Sequence, residues 1–378
     1  MRTLDPTALE PGMILLEAVK TPSGQILAAA GTEITRQLIN RMKLYRVTSA
    51  VVYGEDPVPI VQPAVEPPPP KPAPTVTHTR TYLEETKTTK QKVASSDAFQ
   101  TFQLQYFLVM ENLKKIFSDT VEHGKPIEQT ELLNNVSQLF LSRNTIIELF
   151  DTLNNMRSVD DSVYAHSINV ALIARMIGRW LKMDSHDLNI LTMAGLLHDI
   201  GKVKIPDEVL NKPGSLTDEE FAMIQKHPRL GYEILKNQNI DSRIKKAALM
   251  HHERCDGSGY PSHLMEDTID EFAMIIAIAD VYDAMTAARS YRAPLCAFQV
   301  IANFEKDGYQ KYNTKYILTF LRQIAATYQN NRVVLNDGRG CNIVMLNQND
   351  LSRPIVQFDD NSCLDLASRR DLFIKAII

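Results

Sequence analysis

The pattern of apolar and polar residues divides the chain into regions of different periodicity. Near the N-terminus, short apolar runs at 13–16 and 25–28 flank the turn-forming residues 21–24, which predicts two strands joined by a turn. Thr32 is a candidate cap for a short helix, and a third strand is predicted at 49–53. We therefore expect residues 1–56 to form a small mixed α/β module.

A segment poor in apolar residues follows at 57–96. Nine of the nineteen prolines lie between residues 57 and 74, and proline cannot continue a helix or a central strand. The polar stretch after it, up to residue 96, contains too few apolar residues to form a core. The segment is predicted to be an extended linker.

Helical periodicity dominates the rest of the chain. Residues 97–157 carry frequent aromatic and aliphatic residues at helical spacing, which favours packing against a partner helix, either within the core or in a homodimer. The pattern continues through 158–330, where Thr217 and Glu220 match a capping box. From 331 to 378, the turn residues at 336–340 separate two apolar runs and predict a hairpin in a β-rich appendix.

Composition narrows the function classes. The net charge of −4 argues against binding to polymeric nucleic acid, and no apolar run approaches the length of a membrane span. The four cysteines contain no Cys-x-x-Cys pair and read as free thiols of a reducing compartment. We expect a cytoplasmic protein without insertion in a membrane.

The most informative chemistry is a set of histidines and aspartates in the helical region. The adjacent pair His198-Asp199 ends an apolar run, and five of the nine histidines belong to this set together with two aspartates. Neutral imidazoles and carboxylates together favour manganese, iron or zinc, and the lack of cysteine argues against a structural zinc site. The candidate metal ligands are His166, His198, Asp199, His227, His251, His252 and Asp280.

Seven candidate ligands are too many for one tetrahedral ion and fit two divalent ions that share a carboxylate. Asp199 is the predicted bridge between the ions. His166 and Asp280 complete the first position, and His227, His251 and His252 serve the second. Two such ions can hold a hydroxide and clamp the attacking and leaving oxygens of a phosphoester.

The order of these residues and their flanking sequences resembles the HD-GYP family of metal-dependent phosphohydrolases, over roughly residues 160–325. The matching blocks, in chain order, are HDIGK from His198, KPG from Lys212, LT at 216–217, HP from His227, HHER from His251, DGSGYP from Asp256, ADVYDAMT from Ala279 and RSYR from Arg289. The resemblance implies an all-helical HD-type core that hydrolyses cyclic di-GMP, with the seven residues as ligands of two ions, iron or manganese above all.

The resemblance also implies a substrate site. Catalysis is assigned to His198, Asp199 and Lys202, and the expected products are linear pGpG and then GMP. Two alternatives stay open: another cyclic dinucleotide or nucleotide as the substrate, and a catalytically silent cyclic di-GMP sensor. The residues expected to bind the substrate are Lys202, Gly259, Tyr260, Pro261, Arg289 and Arg292.

One position departs from the family pattern. Some members place a glutamate four residues before the first histidine, where it helps to hold a third ion, whereas this chain has Ser162. Two ions are therefore predicted. The N-terminal module also resembles one often found ahead of HD-GYP cores, through LEPGM from Leu9, and is a candidate contact for a signalling protein.

Overall fold

The structure is a computed structural model, and it describes residues 2–20, 26–35, 38–39, 42–43, 47–53, 97–141, 149–150, 152–153, 162–212, 214–287 and 295–378. It divides into two compact units, Met1–Lys87 and Thr88–Ile378. The predicted linker at 57–96 and the predicted turn at 21–24 lie outside the described residues.

The first unit is built from two small antiparallel sheets. Strand β1 (Arg2–Leu4) pairs with β4 (Ala50–Val52), and β2 (Val19–Lys20) pairs with β3 (Ile26–Ala28). The strand expected at 13–16 is wrong in detail, because Ile14 and Leu15 form only isolated bridges and the strand before the turn is β2. Buried apolar residues from all parts of the unit form its core: Leu9, Leu15, Val19, Ile34, Leu38, Ile39, Met42, Val47, Ala50 and Val52.

The second unit is mainly helical. Its helices with both ends in the described residues are α1 (Asp97–His123), α2 (Gln129–Leu141), α3 (Val163–Trp180), α4 (Ser185–Leu197), α5 (Asp207–Leu210), α6 (Asp218–Ile224), α7 (His227–Leu235), α8 (Ser242–Met250), α9 (Glu271–Thr286), α10 (Ala297–Lys311) and α11 (Thr314–Thr327), with 3-10 turns at Ile200–Lys204, Glu266–Thr268 and Leu366–Ser368. None of the described helices is long and apolar enough to cross a membrane.

Helices α3, α4 and α9 form the centre of this unit. Apolar residues occupy most of their surface, as expected for helices that pack on several sides. The backbone of α4 approaches α3 closely at Gly195, where a Cβ atom would lie 2.5 Å from the Cα of Ala171. This close packing fixes the C-terminal end of α4, which leads directly into His198.

Local capping explains where several helices begin. The side chains of Ser162, Asp184 and Asp270 each accept a hydrogen bond from a backbone N–H in the first turn of the helix that follows. The predicted capping box before α6 is present, with both Thr217 and Glu220 in their reciprocal contacts. Short polar side chains therefore set the starting points of the helices that carry the candidate ligands.

The C-terminal residues form a five-stranded antiparallel sheet. Its strands are β5 (Arg332–Leu335), β6 (Gly340–Met345), β7 (Ile355–Gln357), β8 (Cys363–Asp365) and β9 (Ile374–Ile377), in the order β8-β7-β6-β5-β9. The predicted hairpin at 336–340 joins β5 to β6. The predicted fold class, mainly α with a small β-rich C-terminal part, is confirmed.

This sheet shares its buried residues with the helices. Val333, Ile343 and Ile374 belong to the same apolar cluster as Phe298 and Phe320. The carboxylate of Glu305 on α10 accepts hydrogen bonds from the backbone N–H groups of Leu351 and Ser352. One hydrophobic core therefore runs through α1, the central helices and the C-terminal sheet.

Candidate metal centre

The seven predicted ligands converge on one buried point, six of them from positions at or near helix ends and Asp280 from within a helix. His166 lies in the first turn of α3, His198 and Asp199 follow α4, and His227 begins α7. His251 and His252 follow α8, and Asp280 lies in the middle of α9. Since five separate chain segments deliver these side chains to one place, the packing of the helices determines the geometry of the site.

Asp199 is at the centre of the cluster and its two carboxylate oxygens face different histidines. Its Oδ2 lies 3.2 Å from Nε2 of His198 and 3.6 Å from Nε2 of His166. Its Oδ1 lies 3.2 Å from Nε2 of His227 and 3.7 Å from Nε2 of His251. The two oxygens therefore belong to two adjacent groups of donors.

Asp280 also contacts a histidine of each group. Its Oδ1 lies 3.0 Å from Nε2 of His166, and its Oδ2 lies 3.8 Å from Nδ1 of His252. The structure thus brings all seven sequence-predicted residues together. Two sets of donor atoms can be distinguished, and within each set all the atoms lie within 4.8 Å of one another. Asp199 belongs to both sets, with His227, His251 and His252 in one and with His166 and His198 in the other.

The orientation of three histidine rings is fixed by backbone carbonyl groups. Nδ1 of His198 lies 2.7 Å from the carbonyl oxygen of Gly195, and Nδ1 of His227 lies 2.7 Å from that of Ile224. Nδ1 of His251 lies 3.0 Å from the carbonyl oxygen of Ala248. Because a carbonyl only accepts, each Nδ1 carries the proton and each Nε2 presents a lone pair to the cluster.

Two buried atoms of the cluster show that these residues fit a cation. Among the described residues, Nε2 of His198 and Oδ1 of Asp199 are buried and have no hydrogen-bond partner. Leaving such atoms unsatisfied is costly, and both are lone-pair donors that a divalent cation would satisfy. Five imidazoles and two carboxylates without cysteine match the ligand preferences of iron, manganese or zinc.

Electrostatics keep most of the ligands in the form that binds metal. Burial alone would raise the pKa of Asp199, but His198 and Lys202 hold it well below its usual range. Burial, together with neighbouring histidines, lowers the pKa of His251 well below its usual value, and burial also lowers the pKa of His252. The carboxylate is therefore ionised and these two imidazoles are neutral, as metal ligands must be.

His166 differs from the other histidines in its charge environment. Burial would lower its pKa, but contacts with Asp280 and Asp283 outweigh this and raise the pKa to about 9. The carboxylate of Asp283 lies 2.7 Å from Nδ1 of His166, opposite the nitrogen that faces the cluster. A metal cation beside Nε2 would replace the proton there, and its positive charge would interact with the same two carboxylates.

Lys202 lies in the 3-10 turn that follows Asp199. Its Nζ is 2.5 Å from Oδ2 of Asp199, and its side chain is about four-fifths buried, with 20% exposed. This turn packs tightly against the start of α7, since a Cβ atom on Gly201 would lie 2.0 Å from the carbonyl oxygen of His227. The contact fixes a positive charge at the edge of the cluster.

The residues that follow His252 fold back over it as a loop, which we call the 253–266 loop. The buried carboxylate of Glu253 accepts hydrogen bonds from the backbone N–H groups of Ser262 (2.7 Å) and Leu264 (3.0 Å). The ring of Tyr260 stacks on the ring of His252, with 4.6 Å between their centroids. Burial raises the pKa of the Tyr260 phenol, which therefore stays protonated.

The turn at Gly259 makes this return of the chain sterically feasible. A Cβ atom there would lie 2.4 Å from the backbone nitrogen of Arg254 and 2.4 Å from the Cα of Glu253. The predicted substrate residues Gly259, Tyr260 and Pro261 thus lie beside His252. Arg289 and Arg292, also predicted to bind the substrate, lie outside the described residues.

Two further acidic residues were not identified from the sequence. Asp283 contacts His166 and Glu253 anchors the 253–266 loop, although both belong to blocks that were matched to the family. The spacing of Asp283, one helical turn after Asp280, was a usable signal. The backbone carbonyls that orient three histidines leave no signal in the sequence.

The part of the chain that contains the candidate metal centre is similar to known proteins. The HD domain family model matches residues 129–315. The chain is 36% identical over 165 residues to the cyclic di-GMP phosphodiesterase PA4108 of Pseudomonas aeruginosa, covering 43% of this chain and 39% of that protein. It is 38% identical over 163 residues to the 3'3'-cGAMP-specific phosphodiesterase 2 of Vibrio cholerae, covering 42% of this chain and 31% of that protein.

A solved structure agrees with the fold over most of the chain. Bd1817, a HDG"Y"P protein from Bdellovibrio bacteriovorus, superposes with a TM-score of 0.51 at 17% identity, covering 84% of this chain and 97% of that one. At this identity the likeness concerns the fold. The two curated relatives are matched over well under half of their own length, so their similarity concerns the helical region around the metal cluster.

Proposed function

We propose that this chain, which belongs to the HD-GYP family of HD-domain proteins, is a metal-dependent cyclic di-GMP phosphodiesterase. The family confirms the resemblance seen in the sequence motifs. The observation that carries the proposal is the position of Asp199, whose two buried oxygens face separate groups of histidines. The curated relatives named as cyclic di-GMP phosphodiesterases supply the substrate class.

The cluster is proposed to hold two divalent ions of iron or manganese. One position would use Oδ2 of Asp199 with His166, His198 and Asp280, and the other would use Oδ1 of Asp199 with His227, His251 and His252. When bound, two adjacent cations lower the pKa of water and neutralise charge that develops on a phosphoryl group. This agrees with the partition of ligands that the sequence suggested.

Two ions, not three, are proposed because of Ser162. Its hydroxyl caps α3 by accepting the N–H of Ala165 and lies 3.9 Å from the sulfur of Met110. A serine with these contacts offers no carboxylate for a further cation near His166. The five histidines, Asp199 and Asp280 therefore define the whole proposed centre.

The protein's own residues are proposed to bind and orient the substrate. Lys202 holds a positive charge beside Asp199 and would contact the phosphate at the scissile bond. Arg289 and Arg292 would neutralise the phosphates of the dinucleotide, which carries two negative charges. Tyr260, between Gly259 and Pro261, would define the edge of the substrate site through its stack on His252.

Turnover of cyclic di-GMP by the purified protein tests this function. The metal-stripped protein is reloaded with Mn²⁺, or with Fe²⁺ under anaerobic conditions, and the nucleotides are separated by chromatography. We expect linear pGpG first and GMP later, and the Asp199→Ala variant to give no product. Binding of cyclic di-GMP without product over hours, with both ions loaded, would identify a silent sensor and contradict the proposal.

A second substrate is favoured by one finding. Relatives named as 3'3'-cGAMP-specific phosphodiesterases have 36–39% identity to this chain, similar to the cyclic di-GMP enzyme of P. aeruginosa. Competition between the two cyclic dinucleotides in one reaction gives the ratio of their kcat/KM values. A ratio in favour of 3'3'-cGAMP would replace the substrate and leave the proposed metal chemistry in place.

The cellular compartment of the protein is proposed from the state of its cysteine thiols. All four cysteines are free in the structure, as expected in a reducing, cytoplasmic compartment. A homodimer through 97–157 and a signalling partner for the N-terminal module stay predictions from the sequence.

A further inference from the structure

The histidines of the metal centre are held in place in two different ways. His198, His227 and His251 each direct Nδ1 to the carbonyl oxygen of a residue three positions earlier in the chain. His166 instead directs Nδ1 to a carboxylate, Oδ2 of Asp283, at 2.7 Å. An ionised acceptor forms a stronger hydrogen bond than a neutral carbonyl does.

The position of Asp283 follows from the geometry of α9. Asp280 and Asp283 are three residues apart and therefore lie on the same face of the helix, towards α3. The two carboxylates contact opposite nitrogens of one imidazole, with Asp280 3.0 Å from Nε2 and Asp283 2.7 Å from Nδ1. Asp283 is only 3% exposed, so solvent screens its interaction with His166 weakly.

We propose that Asp283 is a positioning residue that strengthens the binding of the ion on the His166 side of Asp199. The inference rests on the metal centre proposed above. A carboxylate behind a ligating imidazole fixes its tautomer and orientation and makes the facing nitrogen a better donor. Among the described candidate ligands, His166 is the histidine with a carboxylate within hydrogen-bond distance of Nδ1, since Nδ1 of His252 lies 3.8 Å from Asp280, so the effect concerns one of the two ion positions.

Asp283 also ties α9 to α3, and a purely structural role makes a different prediction. Loss of a helix-to-helix tie would lower the stability of the metal-free protein and would disturb both ion positions alike. A positioning role would weaken one ion position and spare the other. Stepwise metal affinity therefore separates the two roles, whereas enzyme activity alone does not.

The test measures Mn²⁺ binding to metal-stripped protein by calorimetry, without any nucleotide. Asp283→Asn keeps the size of the side chain and removes its charge, and Asp283→Glu keeps the charge. Asp187→Asn is the matched control, because Asp187 also pairs with a cation, Arg243 at 2.8 Å, but lies in the first turn of α4, far from His198 at the other end. Melting of each metal-free variant is recorded in parallel.

We expect Asp283→Asn to weaken one of two binding steps by about 10- to 100-fold and to leave the other within about twofold. Asp283→Glu should recover part of the affinity, and Asp187→Asn should change neither step. If both steps stay unchanged in Asp283→Asn, or fall equally with the melting temperature, the proposal is wrong. A protein that binds Mn²⁺ in this way but cleaves no cyclic dinucleotide would contradict the proposed function and not this inference.

Discussion

The cluster of candidate metal ligands and the 253–266 loop lie side by side but are stabilised in different ways. The candidate ligands of the cluster come from five chain segments, and the packing of the helices fixes their positions. The loop is a single segment whose course depends on a few contacts, mainly those of Glu253, Gly259 and Tyr260. The comparison suggests that metal chemistry and substrate recognition can be changed separately.

The contrast follows from where the supporting groups come from. Three cluster histidines are oriented by carbonyls three residues earlier in the chain, which remain in place as long as the helices fold. The loop instead relies on one buried carboxylate that accepts two backbone N–H groups. A single substitution can therefore release the loop while the cluster stays intact.

Asp199→Ala should have the largest effect, because both ion positions lose a shared ligand. We expect a fall in cyclic di-GMP hydrolysis of more than about 100-fold, since even residues that only support metal ligands contribute about 10- to 100-fold. Product formation in Mn²⁺ measures this, with Asp187→Asn as the control. Residual activity within tenfold of the wild type would show that Asp199 is not central to the site.

Gly259→Ala should have the next largest effect, and it should act on the loop. The added Cβ would meet backbone atoms of Arg254 and Glu253 at 2.4 Å, so the chain must move. A loss of about 2 kcal/mol in substrate binding corresponds to roughly 30-fold in KM. We expect two Mn²⁺ per chain to be retained. Gly340→Ala, on β6, is the control for glycine replacement, because the added Cβ would meet only the flexible end of the Arg332 side chain, at 3.0 Å.

Glu253→Gln should weaken the loop less. The amide has one acceptor oxygen, so one of the two N–H groups, at Ser262 or Leu264, would face a donor. An unsatisfied buried donor costs about 1–3 kcal/mol, which predicts a KM increase of about tenfold with kcat nearly unchanged. Steady-state kinetics separate the two parameters. A fall in kcat together with loss of metal would show that Glu253 supports the cluster itself.

Substitution of Tyr260 should have the smallest effect on KM. Tyr260→Leu removes the ring that stacks on His252, and such ring contacts contribute about 0.5–1.5 kcal/mol, or about 2- to 10-fold in KM. Tyr260→Phe keeps the ring and is the matched control, with a KM close to that of the wild type. Equal effects of both substitutions would assign the role to the phenol oxygen and not to the stack.

The sequence predicted the residues of the cluster better than it predicted their supports. The seven ligand candidates were found because imidazoles and carboxylates are chemically distinctive, and all seven converge. Backbone carbonyls such as those of Gly195 and Ile224 have no side-chain signature, and their position appears only after the helices pack. Asp283 was visible in a motif, but its partner lies 117 residues away in the chain.

The same distinction applies to the fold. Helical periodicity and turn residues predicted the helices and the C-terminal hairpin, because these depend on local sequence. The strand predicted at 13–16 was misplaced, because an apolar run does not show which segment of the chain pairs with β3. In the structure that segment is β2. Likewise, the shared core between α10 and the C-terminal sheet depends on contacts between residues far apart in the chain.

The proposed role of Asp199 is to join two metal ions, and magnetic coupling between the ions measures whether it does so. Electron paramagnetic resonance of the protein loaded with two Mn²⁺ per chain detects whether the ions share a ligand. We predict an exchange-coupled spectrum in the wild type and its loss in Asp199→Ala. Two Mn²⁺ ions per chain with the spectrum of isolated ions in the wild type would contradict the account.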